Sequence, residues 1–274
     1  MERERQKRLL RYVRDRRCRA GGYCFYRMEE PSSSDTYWAL AILLRLGLNS
    51  EDNETAHYLQ SFQRADGGFE NFPAAYFVLK GLRLMNRLPL YDPGPYLGKQ
   101  LHTYDVCRIP AGEASIFRHM YLALDVCGSL GIPIATSVRD KLAAFVLSLR
   151  THDGGFGRDY GTLIDTAQAL FILHRLETMP SDSRAVDFIS CCENKLFGYV
   201  NVPRTLPGYI EHVYWGLKAR YFTRGRPLYP EICREIVVNS QSATGGFSRT
   251  TCGGIANLEN AFYAMEAMVY LNIL

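Results

Sequence analysis

Arg150-Thr-His-Asp-Gly-Gly-Phe-Gly-Arg-Asp-Tyr-Gly-Thr-Leu-Ile-Asp-Thr-Ala-Gln-Ala-Leu-Phe-Ile-Leu-His174 reads as the end of one helix, a glycine turn, a phenylalanine that re-enters the core and the start of a second helix. Nearly the same phrase stands at Gln63-Arg-Ala-Asp-Gly-Gly-Phe69 and at Gln241-Ser-Ala-Thr-Gly-Gly-Phe247. Gly21-Gly-Tyr23 repeats its centre, Phe197-Gly-Tyr199 is a weaker copy, and a slot near Asp105-Val-Cys-Arg-Ile109 has lost its glycines. A phrase that recurs at a fixed period marks a repeat architecture, with room in each unit for two helices and two turns.

The two helices of a unit differ in pattern, and the difference sets the architecture. Before the turn, Val138, Leu142, Phe145, Val146 and Leu149 fall at helical spacing with Arg139, Asp140 and Lys141 opposite, which describes an outer helix with one solvated face. After the turn, Leu163 to Leu176 and Tyr37-Trp-Ala-Leu-Ala-Ile-Leu-Leu44 are apolar nearly all round, so these helices are covered on every side. Outer helices are expected near 3–17, 51–64, 94–104, 135–150, 182–195 and 229–241, and inner ones near 34–46, 72–86, 112–129, 162–176, 209–222 and 257–272. The last inner helix is apolar to its end and is no polar cap, which favours a closed ring over an open solenoid. The sequence thus predicts an all-α fold, an (α/α)6 toroid of six helical hairpins, as a single domain over 1–274.

With 274 residues and 47% hydrophobic content the chain can bury a large core. No run of about 18 apolar residues suggests a membrane span, no secretion signal is apparent, and eight cysteines without a CxxC pair suit reduced thiols, so a cytoplasmic protein is expected. The net charge of +4 is concentrated in the first helix, about 2–19, where nine Lys or Arg face three acids. Its Leu9, Leu10 and Val13 are expected to turn inward, and its basic face could meet an acidic partner or an anionic membrane surface. No nucleic-acid-binding motif accompanies the charge.

Gln63-Arg-Ala-Asp-Gly-Gly-Phe69, Ser34-Asp-Thr-Tyr-Trp-Ala-Leu40 and Asp165-Thr-Ala-Gln-Ala-Leu170 resemble the repeat shared by protein prenyltransferase β subunits and by squalene and class II terpene cyclases. The resemblance spans essentially the whole chain. It implies an α/α toroid whose greasy, aromatic-lined central cavity holds an isoprenoid. Candidate lining residues on the inner helices are Tyr37, Trp38, Tyr76, Phe117, Tyr121, Tyr214, Trp215 and Tyr263, with Phe77, Phe171, Tyr209 and Phe262 in the same helices.

The chemistry of the relatives does not transfer intact. The transferases hold zinc with an Asp-x-Cys opening the fifth inner helix and a His in the sixth; the matching positions here are Glu211, Val213 and Asn260, and valine cannot bind a metal. A zinc-dependent cysteine prenyltransferase is therefore not expected, and no metal site is assigned. Asp105-Val-Cys107, close behind His102, and Asp125-Val-Cys127 repeat the spacing in the wrong places. The Asp-x-Asp-Asp acid of the cyclases is absent. Carboxylates recur at inner-helix starts as Asp35, Glu113, Asp165, Glu211 and Glu259, either as an acidic ring joined by His212 or as ordinary helix caps. Asp165, Glu211 and His212 are the candidate acids and bases, and Arg118, His119, Arg204 and Arg249 the candidate diphosphate cations, with Arg27 and Arg158 nearby in type. The residues call for no cofactor, Mg2+ being the one candidate with a diphosphate. Three readings follow: a divergent terpenoid cyclase, lyase or prenyl transferase; a non-catalytic lipid- or protein-binding toroid; and a β-like subunit needing a helical α partner.

Overall fold

The computed structural model describes residues 2–27, 29–49, 52–101 and 115–273. Its helices, in chain order, are α1 Glu2–Arg14, α2 Ser33–Arg45, α3 Asn53–Gln60, α4 Phe72–Leu84, α5 Gly94–Gln100, α6 Arg118–Leu130, α7 Thr136–Ser148, α8 Leu163–Arg175, α9 Arg184–Cys191, α10 Ile210–Phe222, α11 Pro230–Asn239 and α12 Leu258–Tyr270. Two short strands, β1 Glu193–Asn194 and β2 Gly198–Tyr199, pair antiparallel in the Phe197-Gly-Tyr199 copy of the turn. The protein is an all-α toroid. The even-numbered helices pack α2 on α4, then α6, α8, α10 and α12, and α12 returns to α2, so the inner ring is closed. The odd-numbered helices lie outside, each against an inner neighbour. Asp105, Cys107, His102 and Glu113 fall outside the described residues.

Each Gly-Gly-aromatic turn is built the same way. Tyr23, Phe156 and Phe247 are bridged through their backbones both to the end of the outer helix before them and to the residue that caps the inner helix after them. Their rings are buried in the core, as is that of Phe69. Gly21, Gly67, Gly154 and Gly245 adopt φ between 79° and 95°, a region open to glycine without penalty. A second constraint applies at these positions. A Cβ on Gly154 would stand 2.6 Å from the carbonyl oxygen of Arg184, and one on Gly155 2.9 Å from the ring of Phe188. The missing side chains let the next outer helix sit directly on the turn, so the repeat records a docking requirement as well as a change of direction.

The same docking closes the outer layer. Gly245 and Gly246 receive Arg8 and Tyr12 of α1, the Gln241 amide donates to the Arg5 carbonyl (3.1 Å), and the Arg8 guanidinium donates to Gln241 Oε1 (3.1 Å). Leu9 and Val13 are buried and Leu10 half-buried, while Arg16 lies 3.4 Å over the Tyr12 ring and Arg17 pairs with Asp52 and Glu54. Arg8 of α1 and Arg16 and Arg17 just beyond it are therefore engaged within the fold. Among the described residues no helix is long and apolar enough to cross a membrane.

Candidate functional site

The inner ring encloses a cavity of about 330 Å3, at the lower end of the range for small-molecule sites. Its walls follow from helix register. Residues four apart stack on one face of a helix, and the cavity face repeats one pattern: Tyr76 with Lys80, Tyr121 with Asp125, Tyr214 with Lys218 and Phe262 with Glu266. Tyr37, Ala41 and Arg45 continue it on α2. An aromatic tier thus lies one turn below a charged tier. Trp38, Phe77, Trp215 and Tyr263 widen the first, and Arg118, Gln168 and Glu259 add polar groups nearer the inner-helix starts. Tyr214 stacks on Tyr263 with ring centroids 5.1 Å apart, and Tyr121 meets Trp215 edge-on at 5.3 Å.

The expected aromatic lining is present except at Phe117. That ring is wholly buried between the helix layers, 6.4 Å from Phe156, and belongs to the core. Phe171 lies behind Tyr121, and Tyr209 caps α10 beneath Arg249. The lining is also less greasy than expected, because four cations and three carboxylates face it, a net of +1 among the described residues.

The expected acids and bases lie elsewhere. Asp165 is buried at the third position of α8, where it accepts from the Thr162 hydroxyl (2.9 Å) and from the backbone N–H of Ile116 before α6 (2.9 Å). It ties the starts of two neighbouring inner helices together. Asp35 takes the matching position on Ser32, and Thr36 and Thr166 accept from the backbone N–H groups of Tyr23 and Phe156, each at 3.0 Å. The Ser/Thr-x-x-Asp-Thr phrase is therefore capping chemistry. Glu211 pairs with Arg249, and His212 accepts the Tyr209 N–H at Nδ1 (3.2 Å), its pKa lowered by burial. None of the three reaches the cavity. Of the acidic ring, Glu259 alone among the described residues does so.

Nor do the four expected diphosphate cations converge. Arg118 lines the cavity, whereas His119 packs at a tilt against Phe72 with ring centroids 4.4 Å apart, Arg204 is exposed in a loop with φ 64°, and Arg249 covers Tyr209 at 3.9 Å. At the zinc-ligand positions, Val213 is fully buried, and no cluster of three or more His, Cys, Asp or Glu among the described residues could hold a metal ion. Asp125 faces the cavity while Cys127, two residues on, is sealed in the core, so that pair cannot act together. The residues present do not fit the zinc centre.

Sequence reasoning passed over Lys80, Lys218 and Glu266, and met Asp125 only in the Asp125-Val-Cys127 spacing. Lys80 pairs with Asp125 at 3.0 Å, and Tyr76 donates to the same carboxylate at 2.8 Å. Arg45 holds Glu266 through two nitrogens, at 2.6 and 3.1 Å, and Tyr263 donates to Glu259 at 2.9 Å. Lys218 differs from the other cations. Its Nζ donates to the hydroxyls of Tyr121 and Tyr214, both at 2.9 Å, and lies 5.0–5.5 Å from the rings of Tyr121, Phe171, Tyr214 and Trp215. No carboxylate among the described residues forms an ion pair with it. The side chain is half-buried because the cavity admits solvent, yet protein surrounds it, and this desolvation lowers its pKa to about 8. Burial raises the pKa of Glu259. The cavity thus holds an acid pushed toward its protonated form and an amine pushed toward its neutral one, a division suited to proton transfer or nucleophilic attack.

A stability measurement can check that environment. A folded-state pKa below the unfolded 10.5 means that protonation favours the unfolded chain. The cost is full below pH 8 and fades as pH rises from about 8 to 10.5. Lys218→Met should therefore be more stable than the parent at pH 7 by on the order of 1–3 kcal/mol, the gap closing toward pH 10. Denaturant melts of both proteins across that range decide it, and a constant gap would refute the desolvated amine.

The family model of the prenyltransferase alpha-alpha toroid domain matches residues 1–169. The chain belongs to this family. The match spans α1 to the middle of α8 and three of the Gly-Gly-aromatic turns, the part in which the capping phrase and the ring geometry are laid down. No curated protein matches the chain. This member of the prenyltransferase toroid family pairs a closed ring with an aromatic interior and a charged tier.

Proposed function

We propose that this toroid binds an isoprenoid or other lipid-like small molecule in its central cavity, with a polar head of at most one charge held at the level of Lys218. The observation that carries the reading is the pairing of a continuous aromatic tier with an ammonium bonded to two phenols and ringed by aromatic faces. Aromatic faces give broad apolar contact to a hydrocarbon chain and tolerate a nearby cation. A diphosphate is disfavoured, because Lys80 and Arg45 are already held by carboxylates and the net charge facing the cavity is +1. Thiol prenylation through zinc is disfavoured by Val213.

Both tryptophans of the chain, Trp38 and Trp215, line the cavity, so intrinsic fluorescence reads occupancy directly. Titration with C10 and C15 prenyl alcohols and acids should change it saturably, and the diphosphates should bind at least about tenfold more weakly, a penalty of about 1.4 kcal/mol. Flat titrations with every probe, together with no small molecule extracted from the purified protein, would overturn the reading. Tighter binding of diphosphates would overturn its head-group half.

A further inference from the structure

Resting on that binding reading, we propose that Lys218 is a reactive amine that captures a carbonyl-bearing isoprenoid or lipid-like ligand as an imine. Three features of the cavity carry the inference. Lys218 lines the cavity in the charged tier, one turn from Tyr214 and the aromatic tier, where the head of an amphiphile lying along the rings would arrive. It lacks a carboxylate bonded to it among the described residues, unlike Lys80 and Arg45, so no ion pair holds the amine protonated. Two phenols hold it at 2.9 Å, Tyr121 on α6 and Tyr214 one turn back on its own helix α10, which fixes the nitrogen and leaves each O–H able to turn toward an adjacent oxygen.

The reaction balances without an oxidant or a co-reactant. The Nζ lone pair bonds to the carbonyl carbon while the C=O π pair moves to oxygen. The two nitrogen protons pass to that oxygen, which leaves as water, and a C=N bond remains. Desolvation makes the neutral amine accessible near neutral pH, as in lysines that form imines in apolar pockets. The protonated imine keeps a cation beside the same rings and so retains their stabilisation.

The test uses a C10 prenyl aldehyde with sodium cyanoborohydride at about pH 7.5, followed by peptide mass mapping. Among the lysines one reduced adduct is expected, on Lys218, formed at least about tenfold faster than on Lys7, Lys80, Lys99, Lys141 or Lys195, because its nitrogen is desolvated and fixed by two phenols; the α-amine, which also reacts at that pH, is scored separately. Lys218→Arg and Lys218→Met should both lose it, with an unchanged helical circular dichroism spectrum showing that each variant is folded. Adducts spread over the lysines, or an unchanged adduct in Lys218→Met, would refute the imine. Tryptophan responses without any adduct would refute the imine and leave the binding reading standing. Loss of every tryptophan response would refute both.

Discussion

Replacing Gly245 with alanine is expected to open the ring where α1 meets the last turn. Gly245 has φ 95°, and a Cβ there would fall well inside contact distance of the Arg8 carbonyl oxygen. Neither atom belongs to a flexible side chain, so relief requires α1 to move. Gly47 is the control, with φ 75° and nothing within 4 Å of its added Cβ. Gly47→Ala carries the conformational cost alone, about 1–2 kcal/mol. Gly245→Ala adds an overlap that backbone must absorb, for a total of about 4 kcal/mol. In a chain of this size that corresponds to a fall in Tm of about 10 °C against about 4 °C for the control. Hydrogen exchange should quicken in α1 before it does elsewhere. Equal losses in the two variants, or exchange spread evenly over the ring, would show that the turn glycines serve conformation only.

The second large effect is expected at Arg220 and Glu193. Their side chains are 5% and 1% exposed. The guanidinium donates to Glu193 Oε1 through Nε at 2.9 Å and to the Ser190 hydroxyl at 2.8 Å, and the Leu228 N–H donates to the second carboxylate oxygen. Arg220→Met leaves a carboxylate in the core with one backbone donor, at a cost of about 3–5 kcal/mol. Glu193→Gln strands the guanidinium in the same way. The double variant should recover at least half of the summed loss, because a buried pair is worth little against an apolar replacement although either half alone is expensive. Denaturant titration of the four proteins gives the coupling. Strict additivity would place the two side chains in separate networks.

The reasons the fold was legible and the site was not are physical. The repeat is written in local signals: glycine where φ is positive, an aromatic that bridges two helix ends, and a polar face on one helix of each pair. These survive in one dimension. An inner helix apolar on all sides gives no such signal for which face meets the cavity, so Phe117 and Tyr121 looked equivalent although one packs against Phe156 and the other lines open space. Acids at helix starts were ambiguous for a related reason. Asp35 and Asp165 stand three residues after a capping Ser or Thr and turn back toward it, whereas Glu259 stands one position earlier relative to its cap, Asn257, and points into the cavity. The signal that was present and passed over is an aromatic followed four residues later by a charge, in the middle of helices with no other reason to carry one: Tyr76-Lys80, Tyr121-Asp125, Tyr214-Lys218. A charge that interrupts a buried stripe costs free energy unless something faces it.

Arg8 and Gln241, bonded to each other, stand 233 residues apart in the chain. The other turns receive an outer helix much nearer in sequence, as Gly154 receives Arg184. The entropy lost in bringing two points of a chain together grows with the length between them, so the repeats can assemble as a local series while the joint between first and last is made late. Until it is made, α12 has no α2 beside it and the cavity lacks a wall. A ligand in the cavity therefore binds only the closed ring and draws the chain toward it by mass action. Affinity for any such occupant and completion of folding would then be one equilibrium.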